Sequence, residues 1–156
     1  MRIRKGVHGD YLAVAGLFRQ VQDLHANRRP DIFKKAEEAL PEEEFGLYVD
    51  SADAFICVAE QDGSVVGVGV MMIHEIPDDE IRTGRTVAYI DALCVDSLYR
   101  QQRIGESIFK AMRDEAALRN ATSLELDVGT FNKAAIRFYE KMGMNVKSYA
   151  MELRLQ

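Results

Sequence analysis

The sequence predicts a mixed α/β fold in which an early β-meander is followed by βαβ units. Strand-like apolar runs flank Asp62-Gly63, a second apolar run covers residues 87–95, and helical and strand-like segments alternate from there onward. The 156 residues have the apolar and charged fractions of an ordinary soluble globular protein. We therefore expect one domain, residues 1–156, with the element order βααβββαβαβ.

The first third of the chain predicts one strand and two helices. Arg2 to Lys5 have the pattern of a short strand, and apolar residues in helical register predict a helix over about 9–26. A second helical region spans about 31–49, is interrupted by Pro41 and is strongly acidic. The basic N-terminus resembles a signal peptide, but Asp10 interrupts it and an amphipathic helix explains more of its residues.

The middle of the chain predicts a hairpin and a central strand. Residues 54–60 and 65–76 would pair around Asp62-Gly63, a strong hairpin signal, and 77–86 form a charged loop. Val87 to Val95 is apolar on both alternating faces, as in a strand covered from both sides. Asp91 is the sole charge in that run, so we expect it to be buried.

The last third predicts a helix from about 103 to 120, a strand over Leu124 to Val128, a short helix and a final strand over Val146 to Leu155. The short helix begins after Asn132, a capping residue, and ends at Gly143.

Composition and motifs exclude several function classes. The net charge of -5 gives no support for nucleic-acid binding and is mildly consistent with a cationic partner. The chain lacks the glycine-rich loops of nucleotide triphosphatases and Rossmann dehydrogenases. The three histidines have no metal-ligand spacing, and no run is long enough to span a membrane. Two cysteines in apolar runs, Cys57 and Cys94, indicate buried reduced thiols and a cytoplasmic location.

The turn before the second long helix has the features of an anion site. The first amides of a helix have no intrahelical partner, and the helix dipole adds partial positive charge there. Arg100 and Arg103 add full charges at the same place. Together these groups can hold a pyrophosphate without a metal ion.

Two segments of the chain resemble the GNAT superfamily of acyl-CoA N-acyltransferases. The family's pyrophosphate loop has Arg or Gln first, Gly fourth and Gly or Ala sixth; Arg100 and Gly105 match its ends, and Arg103 replaces the middle glycine. The segment from Asn132 to Gly143 matches every named position of the family's N-x-x-A-x-x-F-Y-E-K-x-G pattern. The resemblance covers roughly residues 54–155.

The resemblance implies a mostly antiparallel central sheet of about six to seven strands flanked by helices, with acetyl-CoA as co-substrate and no metal. It places Tyr139 near the thioester sulfur, where a phenol can protonate the leaving thiolate. Cys94 would be a core residue, because the family transfers the acyl group directly. The residues expected at the coenzyme are Leu93, Cys94, Val95, Arg100, Gln101, Gln102, Arg103, Ile104, Gly105, Glu106, Asn132, Ala135, Phe138 and Tyr139.

The general base is the open question of the sequence. An ammonium acceptor must lose a proton before it attacks, and a carboxylate is the usual group for that task. Asp91 is the first candidate because burial raises a carboxyl pKa toward a useful value, although a purely structural role is equally consistent. Glu75 is the second candidate, and Glu125 and Asp127 share a face of the next predicted strand.

The predicted function is an acetyl-CoA-dependent N-acetyltransferase that acts on a primary amine through a ternary complex. A small cationic molecule is the favoured acceptor, with a protein N-terminus or lysine as the alternative. A catalytically silent coenzyme A-binding regulatory domain also fits, whereas a cofactor-free interaction domain would make both motifs coincidental. The resemblance further suggests a homodimer formed through the last strand, Val146 to Leu155.

Overall fold

The computed structural model describes all 156 residues, whose contacts group into two compact units, Met1–Leu126 and Asp127–Gln156. The strands are β1 (Arg2–Lys5), β2 (Ala54–Gln61), β3 (Ser64–Ile76), β4 (Arg85–Val95) and β5 (Ser123–Glu125). The helices are α1 (Tyr11–Arg28), α2 (Glu42–Asp50), α3 (Ile104–Leu118) and α4 (Lys133–Lys141).

The first unit is built on a five-stranded sheet of order β1-β2-β3-β4-β5. The first four strands are antiparallel neighbours, and β5 runs parallel to β4. The predicted class, a mixed and mostly antiparallel sheet flanked by helices, is confirmed. The expected count of six to seven strands is wrong, because residues 146–155 form no strand and β5 ends at Glu125.

The hairpin between β2 and β3 forms as predicted. Its two turn residues, Asp62 and Gly63, have φ angles of 51° and 78°. Two successive positive φ values are the signature of the tight turn that matches the twist of paired strands, and Asp-Gly is a preferred sequence for it.

Helices cover both faces of the sheet. On one face, α1 and α2 contribute Val14, Leu17 and Phe45 to a buried cluster with residues of β2, β3 and β4. The strand members of that cluster are Ile56, Val58, Val68, Val70 and Cys94. On the other face, α3 lies against β3 so closely that a methyl group at Gly69 would stand 2.5 Å from Ile108.

The second helical region is shorter than predicted. Residues 31–40 are not helical, and α2 begins only after Pro41, which has an extended backbone with φ −63° and ψ 145°. Proline disfavours helical geometry in the residue before it but is well suited to a helix start, so the helix begins at Glu42.

The second unit consists of α4 with the short segment before it and the segment that follows it. Gly143 has φ 93°, the left-handed conformation in which many helices end. Beyond it the chain is exposed, including the large apolar side chains of Tyr149, Met151, Leu153 and Leu155.

Candidate functional site

Asp91 lies at a β-bulge in β4. Val70 of β3 is paired with Ala92, but the next residue, Met71, is paired with Ile90, so Asp91 is the extra residue between them. Ala92 and Cys94 pack in the cluster beneath α1 and α2. The bulge interrupts the alternation of the strand, and Tyr48 and Glu44 of α2 lie near enough to influence the pKa of the Asp91 carboxyl.

The surroundings of Asp91 raise its pKa, although the residue is exposed and the expectation that it is buried is wrong. Desolvation is the largest cause of the increase, and the negative charge of Glu44 adds to it. The polar phenol of Tyr48 and the proximity of His74 lower the pKa of Asp91 and so act in the opposite direction. The bulge therefore presents a solvent-accessible carboxylate whose affinity for a proton is increased.

Tyr48 was not singled out by the sequence. Its hydroxyl lies 3.2 Å from Oε1 of Glu44, one helical turn earlier on α2. Desolvation, followed by the charges of Asp91 and Glu44, raises the pKa of the phenol above its ordinary value. Tyr48 therefore stays protonated and acts as a hydrogen-bond donor at neutral pH.

The other carboxylates proposed as bases lie elsewhere. Glu75 is exposed on β3, paired with Thr86 in the register of the sheet. Glu125 lies 3.6 Å from the guanidinium of Arg85, which makes it part of an ion pair. Asp127 follows the end of β5 and belongs to the second unit, so Glu125 and Asp127 do not share a strand face.

The edge of β4 that faces β5 is only partly paired. β5 pairs with Val87, Ala88 and Tyr89, and no strand pairs with residues 90–95 on that side. This segment contains Leu93, Cys94 and Val95, which were predicted to contact the coenzyme through their backbone. Its amides and carbonyls form an open sheet edge to which an extended ligand can bind.

Cys94 does not have the properties of a nucleophile. Its side chain is buried, and burial raises its pKa to about 12, an increase that the charge of Arg100 only partly offsets. The thiolate, which is the reactive form, is therefore scarce at neutral pH.

The turn between β4 and α3 contains two residues in the left-handed conformation. Gln101 has φ 63°, and Arg103, at the N-cap of α3, has φ 61° and ψ 15°. Arg103 stands where the family pattern has glycine, the residue that adopts this conformation without steric cost. The arginine therefore keeps the backbone geometry that this glycine permits and adds a charge.

The rest of this turn is held by short-range contacts. Arg100 is exposed, and its Nε lies 3.5 Å from the carbonyl oxygen of Val95. Ile104 is buried, so only its backbone is available to a ligand. Gln102, Gly105 and Glu106 complete the segment, with Gly105 and Glu106 in the first turn of α3.

Gln20 of α1 forms hydrogen bonds to the start of this turn, a contact that the sequence did not predict. Its amide nitrogen lies 3.3 Å from Asp96, and its amide oxygen accepts a hydrogen bond of 3.1 Å from the amide of Ser97. The two elements enclose an open hollow of about 340 Å³ lined by Gln20, Asp23, Leu24, Asn27, Ser97 and Arg100.

In the second unit, Asn132 caps α4 as predicted. Its side-chain oxygen accepts a hydrogen bond of 3.2 Å from the amide of Ala135. Phe138 and Tyr139 are half-buried, with ring centroids 5.2 Å apart in an edge-to-face arrangement.

The model of the GNAT acetyltransferase family matches residues 18–144. The chain belongs to this family. Glucosamine 6-phosphate N-acetyltransferase from Arabidopsis thaliana is 31% identical over 111 residues, which are 70% of this chain and 69% of the relative. A probable N-acetyltransferase, camello, from Xenopus tropicalis is 32% identical over 62% of this chain and 41% of its own length.

Solved structures agree with this assignment. A tetramutant of the BH1408 protein from Bacillus halodurans has a TM-score of 0.96 and 33% identity, covering 99% of this chain and 100% of that one. An aminoglycoside N-acetyltransferase in complex with CoA has a TM-score of 0.73 at 14% identity, covering 99% of each chain, and so shows a common fold. The GNAT family uses acetyl-CoA.

No group of three or more His, Cys, Asp or Glu side chains lies close enough together to hold a metal ion. None of the helices combines the length and the apolar character needed to cross a bilayer.

Proposed function

We propose that this GNAT protein transfers the acetyl group of acetyl-CoA directly to a primary amine of a small molecule. The observation that carries the proposal is the open edge of β4, which begins beside the Asp91 bulge and ends at Val95, just before the turn that leads to Arg103 and α3. One continuous segment thus offers a candidate base, an edge for an extended ligand and an anion site.

The residues present fit acetyl-CoA as a substrate. The pantetheine arm would extend β4 by hydrogen bonds to the backbone of Leu93, Cys94 and Val95. The pyrophosphate would accept hydrogen bonds from the first amides of α3, where the helix dipole and the charges of Arg100 and Arg103 favour an anion. From the family motif we assign Asn132, Ala135 and Phe138 to the coenzyme as well.

In the proposed reaction two side chains transfer protons: Asp91 acts as the base, and Tyr139, assigned from the family motif, acts as the acid. Asp91 takes a proton from the acceptor ammonium, and the freed lone pair attacks the thioester carbonyl carbon. The C–N bond forms as the C–S bond breaks, and Tyr139 donates a proton to the departing thiolate. The nitrogen loses its second proton to the tyrosinate, so the products are an acetamide, CoA thiol and one proton released through Asp91.

The acceptor that we favour is a small cationic amine. The first turn of α2 carries Glu42, Glu43 and Glu44, and the net charge of -5 favours approach of a cation. The Arabidopsis relative is named for acetylation of an amino sugar phosphate, and a solved structure of the same fold is named for acetylation of aminoglycosides. A protein N-terminus or lysine is the alternative acceptor.

Titration calorimetry with acetyl-CoA, with NADH as the control ligand, tests the coenzyme site. We expect micromolar binding that weakens about 10-fold in Arg100→Ala, because a charge-assisted contact is lost. Thiol release is then measured with glucosamine 6-phosphate, spermidine, an aminoglycoside and a lysine peptide. Binding without release with any amine would indicate a silent coenzyme-binding domain, and no binding would refute the proposal.

We also propose that two copies of the chain associate through residues 146–155. The segment alternates apolar and polar residues, and Tyr149, Met151, Leu153 and Leu155 are each more than 80% exposed. Apolar surface of this kind is uncommon in a stable monomer.

The two buried, unpaired cysteines support a reducing compartment, the cytoplasm.

A further inference from the structure

The turn between β4 and α3, residues 96–103, is mostly exposed. Six of its eight residues are exposed, and two of them, Gln101 and Arg103, have the left-handed backbone conformation. Such a segment keeps one conformation only where hydrogen bonds fix its backbone, because ordering a residue costs conformational entropy. The contacts that fix the start of the turn therefore decide whether its amides and charges are arranged in advance for an anion.

Gln20 of α1 and Asp96 form a chain of hydrogen bonds that fixes two successive amides of this turn. The amide of Ser97 donates to Oε1 of Gln20 at 3.1 Å, and Nε2 of Gln20 donates to Oδ2 of Asp96 at 3.3 Å. The other oxygen of Asp96, Oδ1, accepts a hydrogen bond of 2.9 Å from the amide of Leu98. The amide of Asp96 donates to the carbonyl of Val66 on β3 at 2.9 Å. The start of the turn is thus connected to the sheet and, through Gln20, to α1.

This arrangement uses both ends of the glutamine amide. The carboxylate of Asp96 requires a donor and the amide of Ser97 requires an acceptor, and the Gln20 side chain supplies both. Turning the amide group by 180° would set its NH2 against the N–H of Ser97 and its oxygen against the carboxylate, which are two repulsive contacts. Packing does not replace these bonds, because an open hollow of about 340 Å³ lies between α1 and the turn residues Ser97 and Arg100.

We propose that Gln20 is a positioning residue for the coenzyme, because it holds the start of the turn in the conformation that binds the pyrophosphate. The inference rests on the proposed function, in which acetyl-CoA binds at this turn. Without Gln20 the turn would be ordered only when the coenzyme binds, and part of the binding free energy would be lost to that ordering. Since Gln20 acts through the turn, its loss should weaken coenzyme binding and leave the chemical step unchanged.

The first experiment is titration calorimetry of the complete protein with acetyl-CoA. We expect Gln20→Leu to weaken binding roughly 3- to 10-fold, the equivalent of one hydrogen bond. Gln20→Glu should also weaken it, because it sets a second carboxylate against Asp96. Hydrogen exchange followed by NMR reports on the turn itself, and the amide of Ser97 should lose its protection in Gln20→Leu. An unchanged affinity in Gln20→Leu would overturn the proposal.

A double variant exchanges the two ends of the contact. When Gln20→Glu is combined with Asp96→Asn, the carboxylate at position 20 can accept from Ser97 and from the NH2 at position 96, whose oxygen can still accept from Leu98. The net charge stays that of the unmodified protein. We expect affinity for acetyl-CoA to return to within about 2-fold of the unmodified protein, although each single change weakens it. Losses that simply add in the double variant would refute the coupling of Gln20 with Asp96.

Steady-state kinetics with the best amine of the acceptor screen separate positioning from catalysis. In Gln20→Leu the KM for acetyl-CoA should rise roughly 3- to 10-fold, with little change in kcat or in the KM for the amine. A lower kcat at an unchanged KM for acetyl-CoA would exclude the positioning role.

The matched control is Gln22→Leu, the same change two residues further along α1. Nε2 of Gln22 donates a 2.8 Å hydrogen bond to the carbonyl of Lys34, so this variant also loses a glutamine bond, but to a segment far from the turn in the sequence. It should leave the acetyl-CoA affinity and the protection of Ser97 unchanged. An equal loss of affinity in Gln20→Leu and Gln22→Leu would show a general effect of α1 and contradict the proposal.

The outcomes separate this role of Gln20 from the proposed function. No acetyl-CoA binding to the unmodified protein would refute both. Binding that depends on Gln20, without acetylation of any amine, would refute the transferase and support the role of Gln20. Acetylation with an acetyl-CoA affinity that is the same in the Gln20 variants would refute only the role of Gln20.

Discussion

At the scale of single residues, Arg103 combines a backbone conformation that favours glycine with a positive charge. Its φ of 61° costs an L-residue roughly 1–2 kcal/mol, whereas glycine adopts the conformation freely. We expect the added charge to strengthen binding of the coenzyme that is proposed to lie at this turn.

Arg103→Gly should therefore raise stability but weaken coenzyme binding. We expect a gain of about 0.5–1 kcal/mol in the free energy of unfolding, after the larger unfolded-state entropy of glycine is subtracted. Acetyl-CoA affinity should fall roughly 2- to 5-fold, as for the loss of one exposed charge contact. Chemical denaturation and calorimetry measure the two effects.

The control for this variant is Asn120→Gly, because Asn120 has nearly the same φ, 58°, carries no charge and lies beyond the C-terminal end of α3. It should gain stability without losing affinity. An unchanged affinity in Arg103→Gly would contradict the assignment of Arg103 to the pyrophosphate.

Asp10 forms a buried ion pair that the sequence did not reveal. Arg4 donates to both of its oxygens at 2.8 and 2.9 Å, and the amide of Val7 donates a third hydrogen bond. Nε of Arg4 donates a further hydrogen bond of 2.7 Å to Oε2 of Glu60. Arg4 is the largest cause of the lowered pKa of Asp10.

Asp10→Asn should destabilise the protein by about 3 kcal/mol at pH 7, because it leaves a charged partner with a poorer acceptor. The lowered pKa also predicts a pH dependence. The stabilisation is fully present above the unfolded-state value of about 3.9 and is lost as the pH falls through the lower folded-state pKa. Denaturation curves between pH 7 and pH 2.5 should show a smaller acid-induced loss in the variant.

The exposed pair of His8 and Asp50, 2.8 Å apart, provides the control. Asp50→Asn should change stability by less than about 1 kcal/mol at pH 7, as for other exposed pairs. An equal loss in Asp10→Asn and Asp50→Asn would refute the special role of the buried pair.

The site was only partly predictable at this scale. The turn that contains Arg100 and Arg103 and the helix cap Asn132 could be located, because a turn before a helix and a cap depend on local sequence. The exposure of Asp91 could not, because it depends on a bulge, and a bulge is a register shift against β3 that leaves no mark in the strand itself. Tyr48 and Gln20 become relevant only through partners that are distant in the chain.

At the scale of elements, the contact of α3 with β3 depends on two glycines. A Cβ atom at Gly69 would stand 2.5 Å from Cγ2 of Ile108 and 2.9 Å from Sδ of Met112, and one at Gly67 would stand 2.8 Å from Cδ1 of Ile108. The missing side chains let the helix approach the sheet closely.

Gly69→Ala should destabilise the protein by about 1–3 kcal/mol, since the added methyl overpacks this contact. Thermal and chemical denaturation measure the change. Gly16→Ala on α1 is the control, because nothing lies within 4 Å of its added methyl and alanine is the better helix former. It should be neutral or stabilising, and a stable Gly69→Ala would show that α3 can move away without cost.

Elements with strong local signals were predicted well, including β1, the hairpin and the amphipathic α3. The errors lie where local patterns compete with other constraints. A helix begins at Glu42, directly after Pro41. The ten residues before Pro41 form no helix, although their composition is typical of one. Residues 146–155 have a strand pattern, but a strand exists only where a neighbouring backbone is available for pairing.

At the scale of the whole molecule, the expectation of one domain over residues 1–156 stays a prediction. The family match spans residues 18–144 and so includes parts of both compact units. The alternating segment 146–155 makes association of two copies the main question at this scale.

Sedimentation should show a species of twice 17.6 kDa. Leu153→Lys places a charge in the apolar face of the segment and should shift the protein toward the monomer. Leu12→Lys on α1, where the leucine is 82% exposed, is the control and should leave the mass unchanged. A monomer at all concentrations of the unmodified protein would refute the homodimer.

The alkylation rates of the two cysteines report on how each helical layer separates from the sheet. Cys94 belongs to the cluster beneath α1 and α2, whereas Cys57 alternates with Ile56 and Val58 and therefore faces the α3 side. Both thiols are buried, and burial raises the pKa of each to about 12. Alkylation of either thiol therefore requires a local opening of the structure. The alkylation rates of the two thiols would thus time the detachment of each layer separately, without any added label.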